Sequence, residues 1–219
     1  MATMDDWQQR TERMLETQVI VRGLRDERVL DAMRRVPRHR FVSPELESQA
    51  YDDRPLSIGE GQTISQPLIV AMMTLSLGVQ PDDAVLEVGT GSGYQAAVLA
   101  QLARHVTTIE RHGALAEAAR TLLCELGISN VTVVVGDGTL GYSEAAPYDR
   151  VLVTAGAPAV PDALRDQLAP GGRLVIPVGP PSLQHLTVID RRGDAFDTRT
   201  GSPCVFVPLI GRDGWPAGS

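Results

Sequence analysis

With 219 residues, 43% of them hydrophobic, the chain can bury one substantial core and is too short for two of ordinary size. Its 27 acidic against 20 basic residues leave a formal charge of −7, which argues against a nucleic-acid partner, because phosphate backbones call for a basic face. Residues 1–13 are polar, without the apolar stretch of a signal peptide, and no apolar run reaches membrane-spanning length, so a cytoplasmic protein with no membrane partner is expected.

Two short helices are predicted within residues 5–35. Asp5 can cap the first and Gly23 can end it, with Met14, Leu15, Val19 and Ile20 as its apolar side. Asp26 can cap the second, where Val29, Leu30 and Met33 share one face and Pro37 closes the helix. The cluster Arg34, Arg35, Arg38, His39 and Arg40 reads as a solvated helix end and turn. Residues 41–66 hold Pro44, Pro55, Gly59 and Gly61 with little periodicity and read as a loop with room for one helical turn. Loops of that length inside compact domains are often functional.

From residue 67 the pattern becomes regular. Pro67 suits a first helical position, and Leu68, Ile69, Met72, Met73 and Leu75 follow at helical spacing. A strand is predicted at 84–88, then a glycine turn, a helix at 94–103, a strand at 106–109 and a helix at 115–126 ended by Gly127. The β-branched run 131–135 is a third strand and 150–154 a fourth. Pro161 opens a helix to Leu168, and Pro170-Gly171-Gly172 turns the chain into a fifth strand at 173–177. Segments 186–191 and 205–209, with Gly193 between them, suggest two further strands in a hairpin-like connection. Strands alternating with helices imply a doubly wound, largely parallel α/β sheet. Residues 1–66 would form a helical and loop segment packed on a core of 67–219, one domain in all. Cys124 and Cys204 lie outside any CxxC and read as buried structural thiols. His39, His105, His112 and His185 show no metal-ligand spacing, so no metal is expected.

The first strand runs into Glu87-Val88-Gly89-Thr90-Gly91-Ser92-Gly93-Tyr94. Glycines at 89, 91 and 93 let backbone pass close to a ligand at the carboxyl end of a strand. Dinucleotide folds use G-x-G-x-x-G to seat a pyrophosphate on the helix N-terminus. The G-x-G-x-G spacing here fits a ligand without one, such as an adenosyl sulfonium with an amino-acid tail, and disfavours a nicotinamide oxidoreductase. Glu110 ends the second strand, where an acid can accept both hydroxyls of a ribose. Asp137, between Gly136 and Gly138 at the end of the third, could accept from an adenine amino group. Either acid alone would pass for a surface or turn residue. Together they mark three successive strand ends, and point to nucleoside binding. Ser65, two residues ahead of Pro67, can be a helix cap or a functional hydroxyl.

Residues 85–94 resemble the first motif of S-adenosylmethionine-dependent methyltransferases. The segment Gly61-Gln62-Thr63-Ile64-Ser65-Gln66-Pro67 narrows the resemblance to the protein-L-isoaspartate (D-aspartate) O-methyltransferase family. Val36-Pro37-Arg38-His39-Arg40-Phe41-Val42, Val153-Thr154-Ala155, residues 171–179 and Phe206-Val207-Pro208-Leu209 are similar too, so the likeness runs from about residue 10 to about 215. It implies a seven-stranded, Rossmann-like methyltransferase sheet with an N-terminal helical segment, S-adenosylmethionine as cofactor and S-adenosylhomocysteine as product. It further implies methylation of the carboxylate of isoaspartyl or D-aspartyl residues in damaged proteins or peptides. Separately, a monomer is expected. Ser65 matches the family's active-site serine. Cofactor contacts carry over to Thr63, Ser65, Glu87, Gly89, Thr90, Gly91, Gly93, Glu110, Asp137 and Gly138. One departure stands out: Cys204-Val205 occupies the place of an arginine expected before Phe-Val-Pro-Leu, which touches substrate-carboxylate recognition. Rival readings are the same fold acting on an aspartate of a modified peptide, and a non-catalytic S-adenosylmethionine sensor, which would have no use for Ser65.

Overall fold

A computed structural model of the chain describes residues 6–218; the cap expected of Asp5 lies outside them. Helix α1 (Asp6–Met14) runs on through a π turn and a 3₁₀ turn, and stops where Gly23 adopts φ 86°. The Asp26 carboxylate accepts from the Arg28 and Val29 N–H groups and starts α2 (Glu27–Arg35). After two 3₁₀ turns, Arg38–Phe41 and Pro44–Gln49, comes a feature absent from the sequence reading. Strands β1 (Leu56–Gly59) and β2 (Gln62–Ile64) pair as an antiparallel hairpin where a loop was expected. Its tip, Gly59-Glu60-Gly61, has three consecutive positive φ angles (92°, 51° and 68°), a reversal that glycines on both sides make affordable.

The core follows in order: α3 (Pro67–Leu77), β3 (Ala84–Val88), α4 (Tyr94–Ala100), β4 (His105–Glu110), α5 (Gly113–Glu125), β5 (Val131–Val135), β6 (Tyr148–Val153), α6 (Asp162–Asp166), β7 (Leu168–Val178), β8 (Gln184–Arg192) and β9 (Ala195–Cys204). The sheet order is β5-β4-β3-β6-β7-β8-β9, in which β8 alone runs antiparallel to the other six strands. The predicted seven-stranded α/β sheet is therefore present, with three local corrections. Pro170-Gly171-Gly172 lies inside β7, where the register with β6 slips, rather than turning the chain ahead of it. The last strand is 195–204, not 205–209, and nine of its ten residues are exposed, so it carries no hydrophobic signature. Cys124 is exposed; only Cys204 is buried, and neither forms a disulfide.

Chain order leaves β3 for β4 and β5 on one side, then returns to β6 on its other side. The crevice above the β3 and β6 ends is the switch point of the sheet, where open α/β folds bind ligands. The N-terminal helices pack over the same region. Met14, Leu30, Met33 and Phe41 share one buried cluster with Val70, Tyr94, Val98 and Leu123.

Candidate active site

Gly89 follows β3 at φ 101°, and a Cβ there would stand 2.4 Å from the Thr154 hydroxyl oxygen. The reason for that crowding is structural: Thr154, just past β6, donates its hydroxyl to the Gly89 carbonyl at 2.7 Å and locks the turn. Gly93, at φ 87°, heads α4 with a Cβ position only 3.2 Å from Ala119. The glycines thus serve tight turning and close helix packing, and leave the 89–91 backbone bare toward the crevice.

The crevice opens as a cleft of about 820 Å³, counting the space open to solvent. Of the predicted residues, Thr63, Ser65, Gly89, Thr90, Gly91, Glu110 and Gly138 line it. Glu87, Gly93 and Asp137 do not. Glu110 is 5% exposed; its Oε2 accepts from the Gly91 N–H and its Oε1 from the His112 N–H, both at 2.9 Å. Each oxygen keeps a further lone pair for a ligand, because a carboxylate offers about four acceptor sites.

Glu87 lies beneath the glycine turn, fully buried. The Thr108 hydroxyl donates to its Oε2 at 2.6 Å, and Thr108 in turn meets the Thr90 hydroxyl at 2.7 Å. Its Oε1 has no hydrogen-bond partner. Burial pushes its carboxyl up to about 8, with Glu110 adding repulsion and Thr108 opposing. Asp137 caps the Gly138–Leu140 turn. It accepts from the Thr139 N–H and hydroxyl on one oxygen and from the Arg212 N–H on the other. Burial alone would raise its carboxyl, but these donors outweigh it and hold the group below its usual range. Asp137 therefore fastens the 211–213 segment, while its neighbour Gly138 reaches the cavity.

The hairpin forms the opposite wall. Ile58 Cδ1 sits 3.2 Å from where a Gly91 Cβ would be, and Glu60 reaches His112 Nδ1 at 3.5 Å, so the hairpin leans over the glycine turn. Ser65 is not the cap of α3: Gln66 occupies that position without a side-chain bond, and no described residue partners the Ser65 hydroxyl.

What fixes Ser65 is a residue read from the sequence as solvated. Arg38 is 0% exposed. Its Nε donates to the Ala50 carbonyl at 2.7 Å, its Nη2 donates to the Ser65 carbonyl at 2.6 Å, and its Cζ lies 4.7 Å from the Tyr94 ring centroid. The 3₁₀ turn opening at Arg38 directs it inward, whereas Arg34 and Arg40 do form surface ion pairs with acids. Burial lowers the guanidinium from its ordinary range, partly offset by Tyr94. Gln95, which donates to Thr74 at 3.0 Å, and residues 207–210 also line the cavity; none was among the predicted site residues, and 207–209 entered the sequence reading only as a strand and a family likeness. A lone glutamine and an apolar segment carry no chemical signature.

The titratable side chains lining the cavity are Tyr94, Glu110 and Arg111, so no described pair there forms a nucleophile and its base. Among the described residues no group of three or more His, Cys, Asp or Glu could hold a metal ion. The arrangement can seat a nucleoside against Glu110 and present an anion to Ser65.

Comparison with known proteins gives the family. The family model of protein-L-isoaspartate(D-aspartate) O-methyltransferase matches residues 9–214. A protein-L-isoaspartate O-methyltransferase of Methanoculleus marisnigri is 53% identical over 211 residues, covering 96% of each chain. One of Methylorubrum populi is 57% identical over 199 residues, covering 90% of this chain and 93% of its own. A solved protein-L-isoaspartate O-methyltransferase superposes with a TM-score of 0.84 at 29% identity, over 93% of this chain and 67% of that one. This chain belongs to the protein-L-isoaspartate(D-aspartate) O-methyltransferase family.

Proposed function

We propose that this enzyme moves the methyl group of S-adenosylmethionine to the carboxylate of L-isoaspartyl and D-aspartyl residues in damaged proteins or peptides. The observation that carries the reading is the meeting, in one cavity, of the 89–91 turn, Glu110 and the uncommitted hydroxyl of Ser65. The cofactor supplies a methyl group made electrophilic by a cationic sulfur. A carboxylate, with a reference pKa near 4, is ionised at neutral pH and is already a nucleophile. No general base is required, consistent with the groups that line the cavity. Glu110 offers its spare lone pairs to the ribose hydroxyls, and the bare backbone at Gly89 and Gly91 permits close approach. Gly138, braced by Asp137, walls the nucleoside end. Thr63 and Ser65 close the site from β2 and its extension, and Ser65 donates to the acceptor carboxylate to orient one oxygen toward the methyl group. Such positioning can lower a barrier by roughly 7–11 kcal/mol in favourable cases. The hairpin excludes water. The next backbone amide nitrogen then attacks the ester without the enzyme, expelling methanol and closing a succinimide, and hydrolysis returns part of it to normal aspartate.

The same proposal has the enzyme acting as a monomer in the cytoplasm, readings that sedimentation and cell fractionation check. No described helix is long and apolar enough to cross a membrane. The test of function is transfer from methyl-labelled S-adenosylmethionine to an isoaspartyl peptide, with its aspartyl twin as control. Label is expected on the isoaspartyl form alone. Labelling of neither, with cofactor binding intact, would move the weight to another acceptor or to a sensor.

A further inference from the structure

Five large apolar side chains are exposed among the described residues: Val21, Val135, Leu183, Phe196 and Val205. Single exposed apolar residues need no explanation. Leu183 and Val205 differ, because they flank the same end rung of the sheet. Gln184 pairs with Cys204 as the end rung of the β8–β9 ladder, and Leu183 and Val205 each lie one residue beyond it. They are 46% and 69% exposed.

Val205 cannot turn inward, because the chain is pinned beside it. Gln184, 1% exposed, accepts from the Phe206 N–H at 2.8 Å and donates to the Pro180 carbonyl at 2.6 Å. The Val207 carbonyl accepts from the Gly156 N–H at 2.8 Å. In an extended segment alternate side chains share a face, so Val205 and Val207 point the same way, about 7 Å apart. Phe206 points the other way and packs against the core. Val207 lines the cavity, followed by Pro208, Leu209 and Ile210. The apolar step is thus continuous with the cavity wall. It is also uncharged: neither 177–184 nor 201–211 contains an Asp, Glu, Lys or Arg, in a chain where 21% of residues are charged.

We infer that Leu183 and Val205 form an apolar step at the cavity mouth that receives an uncharged, apolar side chain of the acceptor peptide, within about two residues of the damaged one. The occupant is the acceptor itself, since a peptide placing its carboxylate at Ser65 must leave the cavity over its rim. The inference rests on the methyltransferase reading and adds a substrate class: isoaspartyl sites flanked by aliphatic residues.

The test compares kcat/KM for two isoaspartyl peptides of equal length and charge, one with Leu and one with Ser at the two positions on either side. The unmodified enzyme is expected to favour the Leu peptide by about tenfold, a side chain's partial burial. Val205→Ser and Leu183→Ser should each shrink that ratio to about threefold or less. Equal use of both peptides by the unmodified enzyme, or a ratio unmoved by both substitutions, overturns the inference while leaving the activity standing. Transfer to neither peptide overturns the activity, and the inference with it. If Val205→Ser instead shifts the sedimentation of the enzyme and leaves the ratio alone, the step belongs to a second copy of the chain and the inference falls.

Discussion

At Ser65 the hydroxyl is left uncommitted by the fold, although serine so close to a helix start usually caps it. Its backbone is held through Arg38, so replacing the side chain should spare the wall around it. Ser65→Ala is expected to lower turnover by roughly 10- to 100-fold, the worth of one hydrogen bond to a charged group. Cofactor affinity should stay within about threefold and thermal stability nearly constant. Titration calorimetry beside a turnover assay separates these, and full activity would remove Ser65 from the mechanism. Glu87 makes a different prediction, on stability. Its carboxyl moves from an ordinary 4.5 to about 8 on burial. Between those values the unfolded chain is ionised there while the folded one still holds its proton. The native state then binds more protons, so stability falls as pH rises through this window, by about 1.4 kcal/mol per unit at most. Below 4.5 the penalty is absent; above 8 it is complete. Glu87→Gln lacks this titration. In urea denaturation the natural enzyme should lose more stability between pH 5.5 and 8.5 than the variant does, and parallel losses would show that Glu87 is ionised throughout.

The β1–β2 hairpin is the element that turns a generic nucleoside crevice into a closed site. It is anchored at its tip by Glu60 near His112, along β1 by Ile58 over Gly91, and at its exit by Arg38 on the Ser65 carbonyl. The first is an exposed pair, a class worth about 0–1 kcal/mol; the last is buried and harder to replace. Arg38→Met keeps the apolar stem and removes the donors to Ala50 and Ser65. It should lower stability by about 1–3 kcal/mol per carbonyl left unpaired, less what is regained by removing a buried charge. At temperatures where the variant is folded, kcat/KM should drop more than cofactor affinity does. Equal losses in the two would make Arg38 a purely structural residue. The sequence announced neither the hairpin nor this anchor. Each strand of the hairpin is too short to show alternation, and its glycines look like any loop. An arginine among arginines reads as surface, because burying one is rare and only the turn after Pro37 aims it inward. Strands β3, β4 and β5 were legible for the opposite reason: each is an apolar or β-branched run bounded by turn residues, fully or partly buried in a parallel sheet. The three strand-end features of the site were legible with them, but the division of labour was not. Glu110 and Asp137 both look like ligand acids in sequence, and only the placement of Arg212 and Thr139 shows that Asp137 also holds a turn and the tail.

Across the whole molecule, the N-terminal third shares one buried cluster with the helices α3, α4 and α5 that flank the sheet. Phe41 packs edge-on against Tyr94, with ring centroids 5.4 Å apart, and Tyr94 also carries Arg38 on its face. Met14, Leu15, Leu30 and Met33 bury Val70, Ala71, Ala97, Val98 and Leu123 from the core side. Each large side chain so covered contributes on the order of 1.5–3 kcal/mol, and a domain's net stability is only about 5–15 kcal/mol. Uncovering several at once therefore exceeds what the sheet has in reserve. The hairpin would go as well, and with it the wall that bears Thr63 and Ser65. A fragment of residues 67–219 should consequently lack a cooperative unfolding transition and bind a hydrophobic dye, even though it contains every strand of the seven-stranded sheet. Calorimetry and dye fluorescence on the purified fragment decide the point. A sharp heat-absorption peak with no dye binding would make the first 66 residues a removable annex, and the site a later addition to a sheet that stands alone.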